Sequence, residues 1–282
     1  MDIITLAIIL SFILLVVGSY TDFRWLIVPD WLSYTAIITG ISIRLTASII
    51  EVNPWHLFYG LLGLGVFFGL GCIGYYLKLW GGGDTKILAA LGAILGFWPH
   101  PNDLMVGIVS NFLLVGGIYG FAYFIILATT NFQKVSGAAS VLLSNQAMAR
   151  MHLFVYILCA AIIVGSMAAG AGFAGVVLAL GSVMIFYVFI LSKAIEQTCF
   201  IKDVPLDEIE EGDWVAEPVI VNGKKVTGPD ETGITTEQID LLRKARHKTV
   251  PIKEGIPFIP NFLLTFVTTI LWGNIVLRFV GF

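Results

Sequence analysis

Charge is scarce in this chain. Of its 282 residues only 12% are Asp, Glu, Lys or Arg, while 57% are apolar; an ordinary soluble domain has about 25% charged residues. This balance excludes a conventional water-soluble globule and places most of the chain in a lipid bilayer. Cysteine is sparse as well: Cys72, Cys159 and Cys199 are odd in number and form no C-x-x-C pair. Neither a zinc ribbon nor a disulfide framework is indicated, and the three read as small apolar fillers. His56, His100, His152 and His247 lie in four separate regions without an E-x-x-H partner, which argues against a metallopeptidase; no metal and no cofactor are expected. The net charge of −3 is mostly gathered in one late segment, so nucleic acid is not an indicated partner. Residues 1–20 lack a basic n-region and a clear small-residue cleavage site, and read as a membrane span instead of a signal peptide.

What the chain does have is long apolar runs. Candidate helical spans are residues 3–20, 32–50, 55–79, 87–98, 104–128, 153–169, 173–191 and 258–277, judged against the ~20 residues that cross a bilayer. The expected fold is therefore an all-α polytopic membrane protein of about eight transmembrane helices. The fourth run is short, and the sixth and seventh, joined by Gly170-Ala171-Gly172, also admit a re-entrant pair. Lys and Arg are missing from the gaps at residues 51–54, 99–103 and 170–172, whereas the alternate gaps hold Arg24, Lys78 and Lys86, then Lys134 and Arg150. Positive residues collect on the cytoplasmic side. The N-terminus is thus expected outside, with the loops after the first and third spans facing the cytoplasm. Arg44, inside the second span, is expected to snorkel outward.

Residues 193–255 hold 9 of the 16 Lys and Arg and 13 of the 19 Asp and Glu. That density requires water. The expected organisation is a membrane domain over 1–192, a small soluble cytoplasmic α+β insertion over 193–256, and a last transmembrane helix over 257–282. Within the insertion, residues 213–220 (DWVAEPVI) suggest a strand, Asn222-Gly223 a turn, and Lys225-Val226 the start of a return strand. Thr235 or Thr236 is expected to cap a helix running to about Arg246. Arg243-Lys244-Ala245-Arg246-His247-Lys248 reads as a solvated helix end or a contact with anionic headgroups.

Two carboxylates stand at membrane edges. Asp22 follows the first span directly, and Asp84 follows Gly81-Gly82-Gly83 between the third and fourth. Glycine permits positive φ and close approach of another backbone, so the triplet is able to break the third helix and admit a peptide or a neighbouring helix against Asp84. The bland alternative is a turn with Asp84 as N-cap of the fourth helix. The following run, residues 87–98, spans about 18 Å against the ~30 Å hydrocarbon core, which sets Asp84 below the membrane surface. The charge topology puts both aspartates on one face. Like charges a few ångströms apart share one proton, leaving an ionised member to activate water and a neutral one to polarise a carbonyl.

The run Asp22-Phe23-Arg24-Trp25-Leu26-Ile27-Val28-Pro29-Asp30-Trp31-Leu32, with Gly81-Gly82-Gly83-Asp84-Thr85-Lys86 after it, resembles the paired signature of the G-x-G-D membrane aspartyl peptidases that process prepilins and archaeal preflagellins. Ile256-Pro257-Phe258-Ile259-Pro260 opens the last span much as in the archaeal members. The resemblance implies Asp22 and Asp84 as the catalytic pair and Gly81 and Gly83 as motif glycines. It also implies pilin- or flagellin-like precursors as substrates, cut on the cytoplasmic side just before a hydrophobic segment. Bacterial relatives carry paired C-x-x-C motifs and methylate the new N-terminus; this chain has no such motif, so methyl transfer is not implied. Compact preflagellin enzymes have fewer spans, so residues 153–191 leave prepilin and preflagellin substrates both open. Thr21 before Asp22, and Pro257-Phe258-Ile259-Pro260 in place of Pro-Ala-Leu, argue against the presenilin-like branch.

Supporting roles carry plainer alternatives. Asp30 reads as a cap of the second helix, and Lys86 as either a tuner of Asp84 or an interfacial anchor. Pro257 and Pro260 set where the last helix begins, or help receive an extended substrate. An Ala at Gly60, on the outer half of the third span, is expected to be mild. The rival function is a proton-coupled transporter using paired intramembrane aspartates, which would favour a midplane site and inverted repeats; none is found in the sequence.

Overall fold

The computed structural model describes residues 3–98, 100, 103–221 and 223–280, and divides into two compact units, 1–120 with 255–282, and 121–254. Among the described residues six helices are long and apolar enough to span a bilayer, and Ile259–Trp272 is a shorter apolar helix. The all-α membrane architecture read from the sequence holds.

In the first unit, α1 (Ile3–Trp25) ends where Leu26 turns to φ +55, and the extended Pro29 leads into α2 (Asp30–Ile50). Asp30 occupies the first turn of α2, where its charge suits the positive helix end. α3 (Trp55–Tyr76) packs against the short α4 (Gly82–Leu95). The contact is backbone on backbone: a Cβ on Gly63 would lie 2.2 Å from the carbonyl oxygen of Gly92. α5 (Leu104–Thr130) begins with Asp103 accepting from the Met105 and Val106 N–H groups. The buried core joins Leu14, Leu15, Phe67, Ile87, Leu91, Ile108, Phe262 and Phe266.

Two expectations change here. The glycine triplet does not break α3, which has already ended at Tyr76; it forms the first turn of α4, five residues ahead of the expected run. The last span is not continuous either. It divides at Gly273, φ +67, into α10 (Ile259–Trp272) and α11 (Ile275–Val280). Asn111 stabilises the break, donating to the Gly273 carbonyl and accepting from the Ile275 N–H.

The second unit holds α6 (Phe132–Ser144), which the hydropathy reading lacked, followed by the antiparallel pair α7 (Gln146–Ala168) and α8 (Gly172–Ile195). Residues 153–169 and 173–191, expected as two spans with a re-entrant pair as the alternative, are full-length helices; α7 starts seven residues early, where Asn145 accepts from the Ala147 N–H. A π-helical turn, Glu196–Phe200, leads into the insertion. Its strands are β1 (Ile201–Pro205), β2 (Val219–Val221), β3 (Lys224–Thr227) and β4 (Thr249–Lys253), with α9 (Thr236–Lys244) between the last two. The strand expected over residues 213–220 shrinks because Pro218 lacks the N–H a ladder needs; Val215 makes a lone bridge to Ile252. Lys225-Val226 does return as β3, while Asn222 lies outside the described residues. β1 and β4 pair antiparallel, with Asp203 opposite Pro251. Thr235 caps α9 in a reciprocal box with Gln238. A core of Leu206, Val215, Ile234, Leu242, Val250 and Ile252 underlies these elements.

Candidate active site

Asp22 lies in the last turn of α1, where the apolar run gives way to Thr21-Asp22-Phe23-Arg24, and it is only 7% exposed. Its Oδ2 accepts from the backbone N–H of Ile259 at 2.8 Å. Ile259 opens α10, so this N–H is one of the donors that a helix start leaves without an internal partner. Pro260 follows with no N–H to offer, and the Tyr119 hydroxyl donates to the Pro257 carbonyl at 2.7 Å. The two prolines therefore frame the helix start that meets Asp22. No sequence pattern announces that an amide near the C-terminus is the partner of the first aspartate.

Asp84 is the third residue of α4, and its Oδ2 accepts from the Gly81 N–H at 2.9 Å. The N-cap of α4 is therefore Gly81 and not Asp84, which closes the helix start from the third position instead. Both aspartates belong to the first unit.

The glycines differ. A methyl at Gly83 would come within 2.9 Å of the Val28 side chain, so the chain ahead of α2 does press against this turn. At Gly81 the nearest atom is the Asp84 carboxylate at 3.7 Å, and at Gly82 the space is open. Lys86 pairs with Asp30 and sits 5.7 Å from the centre of the Tyr34 ring; its partner is therefore α2 and not Asp84.

Trp80, immediately before the triplet, was not singled out by sequence. Its indole N–H donates to the Gly71 carbonyl at 2.9 Å, and Gly74 leaves the room its ring occupies. The ring lies 5.8 Å from Phe258 and 6.3 Å from Phe262, linking the start of α4 to the start of α10. Arg44 also departs from expectation. It is buried and does not snorkel: Nε donates to the carbonyls of Ala93 and Ile94 at 3.2 and 3.0 Å, and Nη1 to that of His56 at 3.3 Å. Those carbonyls need a donor in the apolar interior more than the guanidinium needs water. Among the described residues, no group of three or more His, Cys, Asp and Glu is placed to hold a metal ion.

The fold defines a multi-pass membrane protein with one carboxylate in the last turn of α1 and another in the first turn of α4, two helices that pack against each other. Residues 9–125 match the model of the type IV leader peptidase family, a stretch that includes both aspartates and confirms the likeness read from the motifs. The chain is also 30% identical over 82 residues to the prepilin peptidase EppA of Methanothermobacter thermautotrophicus. That match covers 29% of this chain and 21% of the relative, so the chain spans about a fifth of the relative's length. No solved structure matches.

Proposed function

We propose that the chain is an aspartyl endopeptidase that removes leader peptides from pilin- or flagellin-like precursors at the cytoplasmic face of the membrane. The observation that supports this reading is the packing of α1 on α4, with Asp22 in the last turn of one helix and Asp84 in the first turn of the other. Two carboxylates so placed hold one proton between them more cheaply than none. The ionised member takes a proton from water as its oxygen bonds to the scissile carbonyl carbon; the neutral member donates to the carbonyl oxygen. As the tetrahedral diol collapses, the ionised member takes back a hydroxyl proton, the C–N bond breaks and the protonated member gives its proton to the leaving amine, so the dyad again holds one proton. The bonds that Asp22 accepts from Ile259 and Asp84 from Gly81 aim the carboxylates.

The cytoplasmic placement rests on the avoidance of Lys and Arg by alternate loops. A basic leader stays on the cytoplasmic side by the same rule, beside the hydrophobic segment that follows the cleaved bond. The test is to incubate detergent-purified protein with pilin-like and flagellin-like precursors and read the new N-terminus by mass spectrometry. Cleavage by the wild type that is lost in both Asp22→Asn and Asp84→Asn supports the reading; undiminished cleavage in either variant removes that residue from the mechanism.

A further inference from the structure

An arginine inside a membrane span is costly to insert and marks a function by default, and the reaction above makes no use of Arg44. Its surroundings are built for it. A Cβ on Gly60 would lie 2.3 Å from Arg44 Cδ, and one on Gly96, at φ +71, 2.7 Å from Cζ. Gly40, one turn earlier on α2, lets α4 approach so closely that a Cβ there would meet the Ile94 nitrogen at 2.9 Å. The charge of Asp103, at the start of α5, acts on the guanidinium as well.

The need arises from the length of α4. Fourteen residues make about 21 Å, so the helix ends short of a ~30 Å core, and its last carbonyls face a region without water. Arg44 meets two of these carbonyls and, with the same planar group, the His56 carbonyl at the start of α3. One side chain of α2 thereby ties together the ends of α3 and α4, and its charge suits the negative helix terminus. The flanks of α4 offer less axial grip. Gly40, Gly63 and Gly92 bring backbones together without side-chain ridges between them, and interlocking ridges are what ordinarily fix helix register. At the other end, the Thr85 hydroxyl bonds the Gly71 carbonyl of α3 and Lys86 pairs with Asp30 of α2 through a half-exposed, flexible side chain.

We propose that Arg44 is a positioning residue of the Asp22 and Asp84 site: it latches the far end of α4 and so sets the depth at which Asp84 meets Asp22. Sliding α4 by one residue shifts Asp84 by about 1.5 Å and breaks the latch. The kinetic half of this proposal rests on the peptidase reading; the geometric half does not.

The test therefore uses two readouts. In full-length protein with Cys72, Cys159 and Cys199 replaced by Ser, spin labels on Phe23→Cys and Lys86→Cys report the distance from the end of α1 to the start of α4 by pulsed electron resonance. Arg44→Met and Gly60→Ala, the second crowding the guanidinium without removing it, are each expected to shift or broaden that distance. Gly65→Ala, into open space on the same α3, leaves it unchanged. Without the labels, both latch variants should lower kcat by about a hundredfold, the scale of a 1 Å misplacement, with KM within about twofold. Arg44→Lys should recover part of the loss, and Gly60→Ala should cost little more once Arg44 is Met. An unchanged label distance and kcat in both latch variants overturns the proposal, as does a fall in melting temperature with kcat intact. If the distance shifts while the wild type cleaves no precursor, the latch stands and the peptidase reading fails. Should Arg44→Met not insert, Gly60→Ala carries the same two readouts.

Discussion

A short membrane helix of the first unit and a long one of the second obey opposite rules. α4 has 14 residues, of which nine are buried, including every position from Ile87 to Ile94. α7 has 23 residues and buries only Cys159. Hydropathy identifies helices such as α7 readily, because a face turned to lipid must be apolar along its whole length. A helix enclosed by other helices need not span the bilayer, and is free to begin with glycines and a carboxylate. The proposed site draws on the helix that hydropathy describes worst.

Mutations along the two helices test that contrast. The largest effect belongs to Asp84→Asn, expected with Asp22→Asn to lower the cleavage rate by about a thousandfold or more, in the range that general acid–base groups supply. Both proteins should keep their detergent melting behaviour. The wild-type rate should follow a bell in pH, since the site works with one proton and fails with none or two. A rate that climbs to a plateau in place of the bell would disprove the shared proton.

Next comes Gly83→Ala, whose methyl must displace Val28 and is expected to cost about tenfold or more in kcat, a fraction of the loss from a 1 Å displacement. Gly181→Ala on α8, where nothing lies within 4 Å, should be silent. Equal losses at both would mean that the enclosure of α4 is not what matters. Gly60 now stands with Gly83: a mild effect was expected from its place on the outer half of α3, but the Arg44 stem occupies the space a methyl would need.

Packing alone gives the third contrast. Leu91→Ala, at a position with no exposure, should lower stability by about 2–5 kcal/mol, read by thermal unfolding in detergent. Ile157→Ala on α7, 59% exposed, should stay within about 0.5 kcal/mol.

The smallest effect lies in the insertion. Burial raises the Asp213 carboxyl above its ordinary range, against the opposing bond from the Glu210 N–H and with the Glu210 and Glu254 charges adding to the rise. A group raised in the folded state favours folding most when protonated, below about pH 4, and that contribution fades as pH climbs through its raised value. Asp213→Asn should therefore match the wild type in acid and gain relative stability toward neutral pH. A variant that becomes relatively weaker as pH rises would reverse the sign.

Much of this was legible from residues. The long apolar runs, the Thr235 cap and the return strand at Lys225 follow from local chemistry, and so does the placing of Asp22 and Asp84 at helix ends. What escaped has a physical pattern. α6 carries Ser136, Gly137, Ser140 and Ser144 among its apolar residues, so no hydropathy window marks it. β1 and β4 are separated by the rest of the insertion, and each contains a proline. Gly82 and Gly83 are poor helix formers, and only tertiary packing makes them the first turn of α4. Arg44, Trp80 and the Ile259 amide act through backbone atoms distant in sequence, which leave no local motif. One sign was available: an arginine inside an apolar run needs a partner, and carbonyls at a nearby helix end are a natural one.

The bond between Asp22 and Ile259 joins residues 237 positions apart, which sets an order in time. A ribosome adding about 5–20 residues per second makes Asp22 roughly ten to fifty seconds before the amide that will hold it. Through that interval α1, α2, α3 and α4 can already have entered the bilayer with both aspartates in place, yet α10 has not been made. The nascent chain thus carries both carboxylates through that interval without the α10 amide from which the first of them accepts.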